Sequence, residues 1–325
     1  MNTKLRVSAV CVGLVLLGGL VATGGSASGA SLSPSSSVVT SGSTTYTATI
    51  LTQPTRTVLR NASGVWVATF TNGSRSVALA GPGRKFSEPS TTSATVTTNV
   101  WVRLAPTPFA GVVDPAWLVA ALADTTPDVL AVAMQYVYGA PAITSAGVTV
   151  AGDASYGPLV NGARVAGSDF NDYLGLAWRY SDGFLDAAET AQIRSLDCSG
   201  YVRMVFGYRL GMPLARTVGV SGALPRRAFE MAGSAPGTVL VSSPTRPALP
   251  TALQAGDLVF FDASTTDGTQ IDHTGIYLGS DSSGRARFIS SRQTADGPTL
   301  GDVGGASILT GTGYWATAFR AVRRL

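Results

Sequence analysis

The chain has 325 residues, enough for two modest domains with a buried core. It is 45% hydrophobic and only 13% charged, with 38 glycines, which is typical of a compact, loop-rich globular protein. Without the leader cations Lys4 and Arg6, it has 21 basic and 19 acidic residues, a net charge of +2. So small an excess argues against nucleic acid as a partner.

The first 30 residues predict a secretory signal peptide, and hence a secreted or cell-envelope protein. Two basic residues precede an apolar run over 7–22, and small residues follow up to Ala30. The run is shorter than the roughly 20 residues of a spanning helix, but an uncleaved anchor is the alternative. Cleavage after Ala27 or Ala30 would leave Cys198 as the single cysteine. An unpaired thiol is unusual in a secreted protein, which favours a reactive role over that of a small buried apolar group.

Residues 31–43 are rich in Ser, Thr, Pro and Gly and are expected to form a flexible linker. Over 44–110, alternating β-forming residues separated by turn signals predict a small all-β module with Trp66 and Trp101 in its core. The expected strands are 46–51, 65–70, 77–79 and 96–104. Because the module has no Cys or His, three roles are open: binding a partner, covering an active site of the same chain, or acting as a spacer.

Pro106 and Pro108 mark the expected boundary to a second domain, residues 111–325. Helices are predicted at 117–122 and 129–138, each introduced by Asp or Thr with Pro near its start. A glycine-rich, irregular stretch follows, and no calcium or nucleotide loop is complete in this region.

Cys198 is expected in the first turn of a short amphipathic helix. Asp197 is a helix-starting residue, and Val202, Val205 and Phe206 follow at helical spacing. The peptide dipoles at a helix N-terminus favour the thiolate, which is the nucleophilic form. The sequence therefore predicts an activated cysteine that needs a base.

The single histidine, His273, is the available base, and it begins a predicted strand over 273–279. Alternate residues from Thr274 would face a core, whereas His273 and Tyr277 would face a different environment. A cysteine at a helix start with a histidine on a later strand is the layout of papain-like cysteine hydrolases. There the imidazole keeps the thiol ionised and later protonates the leaving amine.

Three stretches, in this order, resemble the NlpC/P60 family of cell-wall cysteine peptidases: DCSG at 197–200, GDLVFF at 256–261 and HTGIYLG at 273–279. The resemblance covers about residues 114–325. It implies an α+β, papain-like fold in which the cysteine helix packs on an antiparallel sheet. It also implies peptidoglycan as the partner and hydrolysis of amide bonds in its stem peptides, often between D-glutamate and a diamino acid.

Carried over to this chain, the resemblance makes Cys198 the nucleophile and His273 the general base and then the acid. Backbone N–H groups near Cys198 would stabilise the tetrahedral oxyanion. Asp197 and Ser199, which flank the cysteine, become candidate binding residues for a substrate amine. Helix capping is the alternative explanation for both residues.

The chain departs from the family pattern at two places. The third polar residue, which orients the imidazole, is expected at Ser290, where a hydroxyl could accept from the ring N–H. If the register differs, the neighbour is one of the next three residues, Ser291, Arg292 and Gln293. Ala142 stands where many members have a tyrosine after a proline, and Tyr173 or Tyr180 could take that place.

Two other functions remain open beside peptide cleavage. A cell-wall-binding or scaffold protein with weak or no activity could keep the fold, and an N-acetylmuramoyl amidase could use the same dyad. One histidine and one mature cysteine cannot build a typical zinc site, so neither a metal nor another cofactor is expected. If the 44–110 module covers the cleft, the protein would be secreted as a latent precursor.

Overall fold

The computed structural model describes residues 36–41 and 44–325, so the predicted signal peptide lies outside the described residues. Helices and antiparallel sheets combine in an α+β fold, with an all-β region on the N-terminal side, as predicted. Within the described ranges, no helix is long and apolar enough to cross a membrane.

The N-terminal module is a six-stranded antiparallel sheet in which each strand pairs with its neighbour in sequence. Its strands are β1 (Ser36–Ser41), β2 (Thr44–Leu51), β3 (Arg56–Arg60), β4 (Trp66–Thr71), β5 (Ser76–Ser87) and β6 (Thr95–Leu104). Part of the expected linker is therefore strand, because β1 pairs with β2 along its whole length. Strand β5 runs on past the predicted strand 77–79 and contains a bulge, where the register to β6 shifts between Ala80 and Arg84.

The core of the module extends beyond the predicted boundary near residue 110. Helix α1 (Pro115–Ala123) places Leu118 against the apolar face of the sheet, where Leu59 and Phe70 are buried. Phe109 also packs there, with its ring centroid 5.1 Å from that of Phe70. The all-β sheet thus buries its inner face under the chain segment that follows it.

Between the module and the second large sheet lie short helices and three two-stranded ribbons. The helices are α2 (Val129–Ala133), followed by a 3₁₀ turn (Met134–Tyr136), α3 (Phe170–Leu174), a 3₁₀ turn (Thr190–Gln192), α4 (Cys198–Val202), which continues as a π-helix (Arg203–Arg209), and α5 (Ala228–Ser234). The ribbons are β7 (Ile143–Ser145) with β8 (Val148–Ala151), β9 (Leu159–Val160) with β10 (Ala163–Arg164), and β11 (Trp178–Arg179) with β12 (Leu185–Asp186).

The second large sheet is antiparallel and has the strand order β13-β18-β14-β15-β16-β17. Its strands are β13 (Thr238–Ser242), β14 (Leu258–Phe261), β15 (His273–Ser280), β16 (Ala286–Arg292), β17 (Gly297–Thr299) and β18 (Phe319–Arg324), and helix α6 (Tyr314–Ala318) leads into β18. Ile276 and Leu278 of β15 face the main core, and Tyr277 faces a second cluster that contains Phe261 and Trp315. Helix α4 packs on β15, so the cysteine helix lies on the sheet as predicted.

Buried polar contacts join the module to the second sheet. Arg324 of β18 forms an ion pair with Asp257 (Nε to Oδ1, 2.7 Å) and donates to Thr71 Oγ1 of the module at 2.7 Å. Glu88, just after β5, accepts a hydrogen bond from the N–H of Leu300 at 2.9 Å. Because each contact is shielded from water, the module is fixed against the sheet by interactions that are costly to break.

Candidate active site

Cys198 is the first residue of α4, so the helix begins where the sequence predicts. Asp197 is the N-cap, and its Oδ1 accepts a hydrogen bond from the N–H of Gly200 at 2.7 Å. A Cβ atom at Gly200 would lie 2.2 Å from the carbonyl oxygen of Ser168. This close approach of two backbones holds the cysteine end of the helix in place.

The thiol of Cys198 is buried and faces the start of β15. Its Sγ lies 3.8 Å from the carbonyl oxygen of Asp272, and the backbone N–H of Thr274 acts to lower the pKa of the thiol. Asp272 and Thr274 flank His273, so the sulfur lies beside the main chain at the histidine, but the described residues show no hydrogen bond between the thiol and His273 Nε2. Burial, and then the charge of Asp197, raises the pKa of the thiol to about 12. The expected thiolate is therefore not favoured here, since burial outweighs the helix N-terminus.

The imidazole of His273 is buried in an aromatic environment. Its ring centroid lies 4.5 Å from that of Trp315, at an interplanar angle of 33°, and 5.9 Å from that of Phe261. Within the described part of the chain, Nε2 has no hydrogen-bond partner. Burial, with the nearby charge of Arg292, lowers the pKa of His273 to about 3. The pair at rest is a neutral thiol beside a neutral imidazole.

Ser290 does not make the contact expected of the third residue. Its Oγ accepts a hydrogen bond from Nε of Arg292 at 3.1 Å, and the described residues give it no hydrogen bond to His273. Ser291 donates to the carbonyl oxygen of Leu196, and Gln293 donates to the carbonyl oxygen of Arg164. The physical reason is the buried guanidinium of Arg292, which competes for the serine hydroxyl.

Asp197 and Ser199 are bound to a neighbouring arginine. Arg226 donates to Asp197 Oδ2 and to Ser199 Oγ, each at 2.7 Å, and approaches Asp169 at 3.4 Å. Burial raises the pKa of Asp197, but Arg226 and backbone N–H groups outweigh burial, so the pKa lies below its usual range. The two candidate substrate-binding residues thus already have internal partners, and their role toward substrate stays a prediction.

Tyr156 lines the cavity beside His273, whereas the two tyrosines considered from the sequence, Tyr173 and Tyr180, do not. Burial, and then the neighbouring acidic groups of Cys198 and Asp197, raises the pKa of its hydroxyl well above the usual value. Tyr173 donates instead to the carbonyl oxygen of Gly152. The other sequence candidate, Tyr180, accepts from Arg203. Sequence reasoning missed Tyr156, although it is the one aromatic residue between Tyr138 and Phe170.

A cavity of about 540 Å³ opens beside His273. Its walls include Tyr156, Asp272, Arg292, Tyr314 and Trp315. All of its lining residues fall between positions 156 and 315 of the described chain, so none comes from the 44–110 module. Cover of the active site by the module, one of the three roles left open by the sequence, therefore stays a prediction that the lining of this cavity does not test.

Three carboxylates of the described chain, on Asp262, Asp267 and Asp272, approach one another within 4.8 Å near the cavity. Two of them have internal partners: Asp272 Oδ2 accepts from the N–H of Ala263 at 2.9 Å, and Asp262 pairs with Arg320 at 3.1 Å. These contacts account for the cluster, and we assign no ion to it.

Residues 186–322 match the model of the NlpC/P60 family. Among solved structures, the chain is similar to a protein from Staphylococcus aureus subsp. aureus Mu50 described as similar to a lipoprotein of the NLP/P60 family, with 20% sequence identity and a TM-score of 0.28. That alignment covers 65% of this chain and 47% of the other chain. No curated protein matches the sequence.

Proposed function

We propose that this chain, whose residues 186–322 match the model of the NlpC/P60 family, hydrolyses amide bonds in peptidoglycan stem peptides, since that family generally comprises cell-wall cysteine peptidases. The observation that supports this most directly is the contact of the Cys198 sulfur, at 3.8 Å, with the carbonyl oxygen of Asp272. The next residue is His273, the sole histidine of the chain. Both proposed catalytic residues are buried, which is consistent with a nucleophile and a base in one shielded site.

The neutral state of the pair sets the order of proton transfers. As Cys198 Sγ bonds to the carbonyl carbon of the substrate, its proton passes to the imidazole of His273, and backbone N–H groups bind the oxyanion. The C–N bond then breaks, and the imidazolium returns its proton to the leaving amine. Water attacks the resulting thioester with His273 as base, which releases the acid and restores the thiol.

Digestion of purified peptidoglycan tests the proposal. The chain without residues 1–30 and its Cys198→Ala variant are incubated with peptidoglycan, and the soluble products are identified by mass spectrometry. We expect stem-peptide fragments from the parent chain alone. The masses also identify the bond: a cut between D-glutamate and the diamino acid supports the endopeptidase, whereas intact stem peptides freed from the glycan indicate an N-acetylmuramoyl amidase. Equal release by the variant would exclude Cys198 as the nucleophile.

Cell-wall binding without hydrolysis is the second candidate function. It is favoured by the buried, protonated thiol of Cys198 and by the absence of an acceptor at His273 Nε2 among the described residues. Sedimentation of both proteins with peptidoglycan, without released fragments, would support this candidate.

A peptidoglycan substrate requires a location in the cell envelope or outside the cell. The leader over residues 1–30, with its basic start and apolar run, supports export. Cell fractionation followed by N-terminal sequencing tests this point. We expect an envelope or extracellular protein that begins after Ala27 or Ala30, and a cytoplasmic full-length chain would contradict export.

A further inference from the structure

The imidazole of His273 packs against the indole of Trp315 in a tilted arrangement, and among the described residues its Nε2 has no hydrogen-bond partner. The ring of Trp315 lies against it at 4.5 Å, with the two planes 33° apart, and this is its closest ring contact. Phe261 contacts the imidazole at 5.9 Å and an angle of 50°. The side chains that limit rotation of the imidazole are therefore aromatic.

Trp315 is itself fixed by several contacts. Its indole N–H donates to the carbonyl oxygen of Gly304 at 3.0 Å. Phe261 meets it edge to face at 5.2 Å, and Tyr314 does so at 4.9 Å. A Cβ atom at Gly305 would lie 3.2 Å from the indole ring, so the backbone also presses against it. A ring held in this way can serve as a rigid surface for the imidazole.

The guanidinium of Arg292 lies over the same indole, 4.8 Å from its ring centroid. Each of its nitrogens donates to a neutral oxygen: Nε to Ser290, Nη1 to the carbonyl oxygens of Val303 and Gly305, and Nη2 to Ser307. The described chain gives Arg292 no ion pair, and its guanidinium lies over the rings of both Trp315 and Phe288, where a desolvated cation is favoured.

We propose that Trp315, fixed by Arg292, is the positioning residue for His273 and takes the place of a hydrogen-bonding third residue. In this arrangement the imidazole is oriented by its tilted contact with the indole ring, and Ser290 serves to hold Arg292. The proposal rests on the proposed function for its effect on turnover, but its structural content does not depend on that function. Aromatic pairs of this kind contribute enough to make the loss of one measurable, about tenfold in kcat.

The single histidine of the chain makes a direct test available. Protein labelled with ¹³C and ¹⁵N in histidine gives one imidazole spin system, that of His273. Stacking on an indole shifts the carbon-bound ring protons upfield, so we expect such a shift in the parent chain and its loss in Trp315→Leu. Trp315→Phe keeps an aromatic face and should restore part of it. Ring protons at the positions of free histidine in the parent chain would overturn the proposal.

Trp101 provides a matched control. The guanidinium of Arg84 lies over the Trp101 indole, 4.0 Å from its ring centroid. The indole N–H of Trp101 donates to the carbonyl oxygen of Pro82 at 3.0 Å, as that of Trp315 does to Gly304, but Trp101 belongs to the module. We expect Trp101→Leu to leave the His273 spectrum unchanged. If it changed that spectrum as much as Trp315→Leu does, the effect would be one of general destabilisation, and the proposal would fail.

Two further readouts separate positioning from folding. In peptidoglycan digestion, Trp315→Leu should lower kcat about tenfold with KM changed less than twofold, and Trp315→Phe should recover most of the loss. The second readout is a pH titration of the His273 ring signals by NMR. The charged or titratable groups near the imidazole that could affect its pKa are Arg292, Asp197, Cys198, Tyr156 and Asp272.

A Ser290→Ala variant distinguishes the stacked arrangement from a hydrogen-bonded one. We expect it to keep the upfield ring protons. Loss of those signals in Ser290→Ala, with their retention in Trp315→Leu, would assign the orienting role to the serine. If the parent chain does not cleave peptidoglycan, the proposed function fails, while the spectrum still decides the proposal on Trp315.

Discussion

Arg324→Met tests the buried ion pair that links the module to the second sheet. The side chains of Arg324 and Asp257 are both inaccessible to solvent, and two bonds of 2.7 and 2.8 Å join them. The variant leaves the carboxylate buried without its cation, and Thr71 loses its donor. Removing one partner of such a pair costs about 3–5 kcal/mol, so we expect a loss of that size in the free energy of unfolding, measured by urea denaturation.

The pH dependence of this loss follows from the unpaired carboxyl. Burial already raises the pKa of Asp257, with Arg324 opposing it, and removal of the cation raises that pKa further. A raised folded-state pKa means that stability present at low pH is lost as pH rises above the unfolded value of about 3.9. The cost of Arg324→Met should therefore grow between pH 5 and 8, by up to about 1.4 kcal/mol per pH unit.

Arg323→Met is the control, because Arg323 is also buried but donates only to the carbonyl oxygens of Ala235 and Ala232. Its removal leaves no buried charge, so we expect a smaller cost that is the same at pH 5 and pH 8. Equal costs for the two variants, or a cost of Arg324→Met that does not change with pH, would refute the reasoning.

Two more predictions concern the cysteine helix. The rate of Cys198 alkylation by iodoacetamide should rise about tenfold per pH unit from pH 6 to 9, because the raised pKa of the thiol keeps the thiolate scarce. A rate that is constant between pH 5 and 8 would instead indicate a preformed ion pair with histidine. Gly200→Ala should abolish folding or activity, since its Cβ would lie 2.2 Å from a carbonyl oxygen. Gly233→Ala in α5 is the control: its Cβ would meet nothing within 4 Å, so thermal unfolding should show a stability change of less than about 1 kcal/mol. Equal effects of the two variants would show that the close approach at Gly200 is not limiting.

The parts of the fold that follow from short-range patterns could be predicted from the sequence. The helix begins at Cys198 because Asp197 caps it, and the capping bond spans only three residues. The strand at His273 follows from alternation, which places Ile276 in the main core and Tyr277 in a different cluster. Such signals act within a few residues of the chain, so they survive without knowledge of the tertiary structure.

Contacts between distant segments could not be read from the sequence in the same way. Arg226 reaches Asp197 across 29 positions, and no local pattern indicates that it would bind that carboxylate. The preference of Ser290 for Arg292 over His273 depends on which side chains are buried together. The protonation of Cys198 depends on burial as well, and burial reversed the expectation drawn from the helix start.

The position of β18 also governs when the second sheet can form. This strand, at residues 319–324, lies between β13 and β14, so β13 on one side of it joins the four strands on the other side only through it. In the module, by contrast, each strand pairs with its neighbour in sequence, so its sheet can form strand by strand as the chain is synthesised. A nascent chain lacking residues 319–324 would therefore have a folded module and a second sheet without its β18 strand. The burial of the cysteine and the histidine would then be completed last.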